Sequence, residues 1–326
     1  MRALRAHDLT GPPGLWVEEI PVPARPDEDA VRIDVHAAGV GFVDTLVTRG
    51  KYQVRQDPPF VPGMEAAGVV ADAPDGSGLR VGQRVIGSVT VGGCAEAVWA
   101  PSHRIAPLAE GLTFADGAAM VVNYHTALLG LTRRAGLRGG ERVLVHGAGG
   151  GLGSAFVQVA VALGAEVIAV AGTPERRALA RTAGAQVVHD PLEWFDPIRA
   201  AGGVDVIVDP VGGDVFDRSV RCLALGGRLL TVGFASGQIP TVAANRLLLR
   251  NSAVLGVNWA GLVHAEPGLF RATAAQLDGL IAAGMTPLPS TAYDLADAEA
   301  AFSAIEHRDL VGKTVLLVRH AEAVAA

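Results

Sequence analysis

The residues of this chain best suited to chemistry begin with a glycine turn. Val143-Leu144-Val145 runs into His146-Gly147-Ala148-Gly149-Gly150-Gly151-Leu152-Gly153, and a helical segment, Ser154 to Leu163, follows. Glycines there permit positive φ, let the backbone approach a phosphate closely and let the helix lie near the strand. The helix N-terminus then presents N–H groups to an anion. As G-x-G-x-x-G the match is imperfect, because Ala148 takes the first slot and Gly150 and Gly153 take the others. Its setting strengthens it, since a strand precedes, a helix follows and the next strand arrives at Glu166 to Val170. The pattern predicts a pyrophosphate cradle of Gly149, Gly150, Gly151, Leu152 and Gly153. The competing reading is a glycine-rich turn without a ligand.

The end of the second strand bears on which dinucleotide binds. An NAD site usually places Asp or Glu there for the ribose 2′-hydroxyl. This chain reads Val170-Ala171-Gly172-Thr173-Pro174-Glu175-Arg176-Arg177, with no carboxylate at the tip and two arginines at the start of a helix. A guanidinium there would pair with a 2′-phosphate, so Thr173, Arg176 and Arg177 predict NADPH. The alternative is a solvated helix face with Glu175 complementing the helix dipole. Further on, Val232-Gly233-Phe234-Ala235-Ser236 ends the fifth strand, and Phe234 and Ser236 are candidates to approach the nicotinamide.

These residues need an α/β scaffold, and the chain supplies its pattern. From about residue 140, strands alternate with helical segments, the mark of a parallel sheet with crossover helices. The candidate strands are Arg142 to His146, Glu166 to Val170, Gln186 to His189, Val204 to Asp209, Gly227 to Val232 and Ser252 to Val257. Six suffice for a doubly wound Rossmann sheet. Before about residue 120 the pattern is short β-like runs broken by Pro and Gly, which predicts an irregular β-barrel. After about residue 260 come two helices, Phe270 to Ala283 and Ala296 to His307, and a last strand, Lys313 to Val318. This tail is expected to return to the first domain. The expected division is therefore residues 1–121 with 259–326, and residues 122–258.

Composition narrows the class. A chain of 326 residues exceeds the size at which one core stops growing. A net charge of −6 without basic runs makes nucleic acid an unlikely partner. Cys94 and Cys222 stand alone, with no CxxC or HxxxH pattern, so no metal site and a reduced, cytoplasmic setting are expected. The start of the chain lacks an apolar signal-peptide region, and Ala155 to Ala171 reads as a buried βαβ element rather than a membrane span.

A β-rich domain, a late glycine turn and a returning tail together resemble the medium-chain dehydrogenase/reductase superfamily. The resemblance is to its zinc-independent quinone oxidoreductase family, which includes zeta-crystallin, and it covers nearly the whole chain. It is carried by Ala37-Ala38-Gly39-Val40-Gly41-Phe42-Val43-Asp44, Arg49-Gly50-Lys51-Tyr52, Pro62-Gly63-Met64-Glu65-Ala66-Ala67-Gly68-Val69-Val70, Val85-Ile86-Gly87, Asn123-Tyr124-His125-Thr126-Ala127, the glycine turn, Val208-Asp209-Pro210-Val211-Gly212-Gly213 and Gly312-Lys313-Thr314-Val315-Leu316. The resemblance implies a GroES-like β-barrel catalytic domain beside the Rossmann domain, and a homodimer paired through the Rossmann edge strand.

Zinc-dependent relatives carry Cys where Gly41 stands and His where Met64 stands, and Gly and Met supply neither thiolate nor imidazole. Quinone reductases of the family commonly have Asn at the position of Gly41, so quinone specificity does not transfer directly. Without a Lewis acid the expected substrate is a conjugated acceptor, whose charge spreads on taking up hydride. Quinones and α,β-unsaturated carbonyls (enones, enals or enoyl thioesters) both qualify. By their match to family segments, Tyr52, Asn123 and Tyr124 are implied to orient the substrate. Asp44 and Glu65 read as architectural, and His125 and Cys94 as core residues. A protein that binds NADPH without turnover, as a crystallin does, is the alternative.

Overall fold

The computed structural model describes residues 1–53 and 55–319. It divides into two compact units. One comprises Met1–Val122, Val263–Asp278 and Pro287–Ala326, and the other Asn123–Leu262 with Gly279–Thr286.

The first unit opens with β1 (Arg2–Ala6) and β2 (Leu15–Glu19), an antiparallel pair, followed by β3 (Ala30–Val40), β4 (Glu65–Asp72), β5 (Arg84–Ser88), β6 (Ala97–Pro101) and β7 (Ile105–Pro107). The second unit holds β8 (Arg142–His146), β9 (Glu166–Val170), β10 (Val187–His189), β11 (Val204–Asp209), β12 (Leu223–Thr231) and β13 (Ala253–Gly256). Two last strands, β14 (Thr291–Asp294) and β15 (Thr314–Leu317), rejoin the first unit.

β3 is the spine of the first unit. Its sequence alternates, so Val31, Ile33 and Val35 are buried while Arg32, Asp34 and His36 are half-buried on the other face. Its sheet runs β14-β15-β3-β4-β5-β7, with β6 also paired to β3. Leu4, Val31, Ile33, Val85, Ile105, Phe302 and Leu316 meet in the core that this curved sheet encloses. Around the end of β3 the register has a chemical consequence. Thr314 pairs with Val40 across the antiparallel β15–β3 ladder, and Glu65 pairs with Gly39 at the start of β4. The residues just beyond, Gly41 and Lys313, are thereby brought beside Glu65.

The second unit is a parallel six-stranded sheet in the order β10-β9-β8-β11-β12-β13, the doubly wound arrangement expected from the alternating pattern. Val143, Leu144, Val145, Val206, Ile207 and Val208 are fully buried, as strands covered on both faces must be. β12 is longer than expected and begins at Leu223 rather than at Gly227. The strand passes through Gly226-Gly227 with Gly226 at φ +76°, where extra residues of β12 shift its register against β11 between Leu223 and Arg228. His146, at the end of β8, is buried and bonded to Ser219 at 2.8 Å; burial pushes its pKa down to about 3, so it packs as a neutral ring against Trp194.

Candidate cofactor and acceptor sites

The turn after β8 is built by close approach. Ala148 N–H donates to Val170 O at 3.1 Å, tying the turn to β9, and Gly150 caps the helix Gly151–Ala162. A Cβ on Gly153 would strike the Gly147 carbonyl, so this position holds the helix against the turn. At Gly150 an added Cβ would meet only Gly147 O, at 3.5 Å. The N–H groups of Gly151, Leu152 and Gly153 lie in the first turn, where a helix offers no internal acceptor. The turn therefore has the shape and donors of an anion cradle.

The helix that follows β9, Pro174–Thr182, is capped by Thr173, whose hydroxyl accepts from Arg176 N at 3.3 Å. A Cβ on Gly149 would collide with Cα, Cβ and Cγ of Arg176, so the stem of Arg176 lies across the glycine turn. Arg177 is placed differently. Its Nη1 donates to Gly172 O at 2.7 Å and to Asp190 Oδ2 at 2.8 Å, which ties the tip of β9 to the residue after β10. The two arginines that the sequence treated alike thus have distinct surroundings.

At the ends of β11 and β12, Ala235 N–H donates to Pro210 O at 3.0 Å and Ser236 N–H to Val211 O at 2.9 Å. Phe234 and Ser236 are exposed on this loop. Asp209 caps the neighbouring turn, its Oδ1 accepting from Val211 N at 2.8 Å and Gly212 N at 2.9 Å, while burial raises its pKa.

Asn123 and Tyr124 open the helix Asn123–Leu129 of the second unit. Asn123 is half-buried. Tyr124 is buried, and its hydroxyl donates to Gln158 Oε1; Gln158 in turn donates to Thr286 O at 2.8 Å. This bond ties Tyr124 to the helix Gly151–Ala162 of the same unit. His125 is fully buried, with its ring 6.1 Å from that of Trp259, a packing position.

The first unit contains a polar cluster that the sequence did not assemble. Asp44 Oδ2 accepts from Gly41 N at 2.8 Å in a capping box at the helix Phe42–Thr48. Lys313 Nζ is ion-paired with Glu65 Oε1, and Glu65 Oε2 accepts from Val122 N at 2.8 Å. Asp44 and Glu65 are 3% and 2% exposed. Burial raises the Asp44 pKa to about 7, with Glu65 adding to the rise and Lys313 opposing it. Tyr52, half-buried, lies in the same field: burial, then the charge of Asp44, raises its phenol pKa. Asp44 and Glu65 do make the cap and loop bonds expected of architectural residues, but around a buried lysine. The only hint of this in the sequence was a lone Lys before an apolar strand and a lone Glu opening another. Among the described residues no group of three or more His, Cys, Asp or Glu is placed to hold a metal ion.

A parallel sheet in this order and a GroES-like barrel within one chain define a medium-chain dehydrogenase/reductase fold, and the comparisons agree. Residues 27–120 match the alcohol dehydrogenase GroES-like domain, and residues 151–275 match the family described as zinc-binding dehydrogenase. Quinone oxidoreductase-like protein 2 of Bos taurus is 36% identical, over 98% of this chain and 93% of its own. A probable oxidoreductase from Mycobacterium abscessus is 40% identical with a TM-score of 0.89, covering 97% and 98% of the two chains. The quinone oxidoreductase of Thermus thermophilus, solved also in complex with NADPH, is 36% identical with a TM-score of 0.82, covering 97% and 100%. The chain belongs to the quinone oxidoreductase family of the medium-chain dehydrogenases/reductases. No helix among the described residues is long and apolar enough to cross a membrane.

Proposed function

We propose that this protein is an NADPH-dependent reductase that delivers hydride to a conjugated acceptor, a quinone or an α,β-unsaturated carbonyl, without zinc. The observation that carries the reading is the contact between Gly149 and Arg176, which puts a guanidinium-bearing side chain on the edge of the phosphate cradle. Gly150 to Gly153 would hold the pyrophosphate through backbone N–H groups, and Arg176 would face the 2′-phosphate. In this reading Thr173 caps the helix that presents Arg176, and Arg177 with Asp190 braces the loop beneath it. Phe234 and Ser236 stand on the loop that would flank the nicotinamide. The cofactor, when bound, supplies the hydride.

Zinc independence is supported by the donor set. Gly41 and Met64 offer no ligand at the positions where zinc-dependent relatives carry Cys and His. Tyr52, Asn123 and Tyr124 are the polar groups proposed to orient the acceptor. Steady-state NADPH oxidation with a panel of quinones, enones and enals tests the reading. Turnover that survives exhaustive chelation is expected; saturable NADPH binding with no acceptor reduced would instead favour a crystallin-like binding protein.

A homodimer is proposed through the edge of the second unit's sheet. β13 is the edge strand, and the preceding helix, Ala244–Arg250, buries none of its residues, with Leu248 and Leu249 75% and 77% exposed.

A further inference from the structure

Gly41 follows β3 in extended backbone, φ −153° and ψ −174°, a conformation open to any residue. A Cβ built there would have one heavy atom within 4 Å, Nζ of Lys313 at 3.6 Å. The missing side chain thus leaves a notch floored by an ammonium group. Lys313 is 9% exposed, and its ion pair with Glu65 Oε1 engages one of the N–H donors that an ammonium carries. On the other side of Gly41 lies Asp44, whose Oδ2 is capped by the Gly41 N–H and whose buried Oδ1 has no hydrogen-bond partner.

We propose that this notch is an oxyanion subsite, in which the acceptor's oxygen sits over Gly41 against Nζ of Lys313, with Glu65 holding that ammonium in place. The inference rests on the reductase reading and deepens it, since it assigns a group that stabilises charge at positions where Gly41 and Met64 offer no metal ligand. When the acceptor gains hydride at carbon, the electron pair of its π bond moves to oxygen, and a proton from water at that oxygen or the adjacent carbon completes the reduction. A fixed ammonium in a water-poor site favours that electron shift, as a Lewis acid would.

Burial raises the Asp44 pKa to about 7, so below that pH Asp44 is largely neutral and the ammonium of Lys313 faces one counter-charge, that of Glu65. An oxygen that gains charge beside Nζ, as a quinone or enone carbonyl does on reduction, is then stabilised by that ammonium.

A chromogenic phenol, 4-nitrophenol, models the oxygen in both charge states and reports its ionisation by absorbance. It is titrated against pH on the full-length protein without cofactor, so that the reading is independent of turnover. Bound to wild type, its acid dissociation constant should rise at least about tenfold. In Lys313→Met/Glu65→Gln, which removes the ammonium and its counter-charge together, that rise should vanish. Turnover of a quinone and an enone should fall about a hundredfold in the same variant, with NADPH affinity unchanged. Gly41→Val fills the notch without touching the charges, and its extended backbone accepts the branch, so it should abolish phenol binding even if the double variant fails to fold. An unshifted phenol on wild type, an equal shift in the double variant, or undiminished binding in Gly41→Val overturns the subsite. Should wild type reduce no acceptor, the reductase reading fails, while the phenol titration still decides the notch.

Discussion

Arg177 and Asp190 are joined at 2.8 Å across the tips of neighbouring parallel strands, while the adjacent Arg176 lies over the glycine turn. Arg176→Ala is therefore expected to weaken NADPH binding by about ten- to a hundredfold and leave NADH nearly unaffected, because a charge-assisted contact to phosphate is lost. Arg177→Ala should loosen the loop and weaken both cofactors alike. Fluorescence titration of each variant with both nucleotides measures the two ratios; equal loss of NADPH preference in both variants would count against the division of labour.

Gly153→Val tests the cradle itself. Its side chain would drive the helix Gly151–Ala162 away from Gly147, at a cost of about 1–3 kcal/mol for an overpacked contact. Saturable NADPH binding should be lost while the first unit keeps its fold. Calorimetry for binding and circular dichroism for the fold separate these effects.

Asp44 gives a pH signature. Its folded pKa of about 7 lies above the ordinary carboxylate value, so its contribution to stability is full below about pH 4 and is lost as pH rises toward 7. Glu65, Lys313, Tyr52 and Cys94 share its surroundings and remain in Asp44→Asn. The unfolding free energy of wild type should fall more steeply between pH 4 and pH 7 than that of Asp44→Asn, by an amount on the order of a few kcal/mol, as read by denaturant titration. Parallel curves would remove Asp44 as the titrating group.

Tyr124→Phe should leave Gln158 Oε1 without its buried donor and cost about 1–3 kcal/mol in denaturant unfolding. Turnover in the folded variant should fall as well, since the hydroxyl is proposed to orient the acceptor. Unchanged kcat at reduced stability would leave Tyr124 a structural role alone.

For the assembly, Leu248→Asp/Leu249→Asp places two charges on the exposed helix that precedes the edge strand. Sedimentation velocity should show a dimer for wild type and a monomer for the variant. A dimer in both would mean that the contact lies elsewhere.

What could be read from sequence was what is local. The helix after β8 announces itself through Gly149 to Gly153, and continuous runs such as Val143-Leu144-Val145 mark strands buried on both faces. The start of β12 was hidden because Gly226-Gly227 looks like a turn whether or not the chain turns there. Arg176 and Arg177 are indistinguishable in sequence; only the parallel register of β9 and β10 brings Asp190 to the second of them. Tyr124 matched a family segment, but its partner Gln158 comes from the next helix. The charge of Lys313 has no visible partner in the sequence, since nothing local says that β15 will lie antiparallel to β3 with Thr314 beside Val40.

That ladder also imposes an order on biosynthesis. Glu65 acquires its counter-ion from a residue 248 positions later, so a ribosome releases the barrel's buried acid long before its base. Until Gly312 and Lys313 emerge, the first unit carries a carboxylate that must stay hydrated or protonated, and the finished barrel waits for the last strand. A nascent chain stalled between β13 and β15 would present an assembled nucleotide-binding unit beside an open, protease-sensitive barrel.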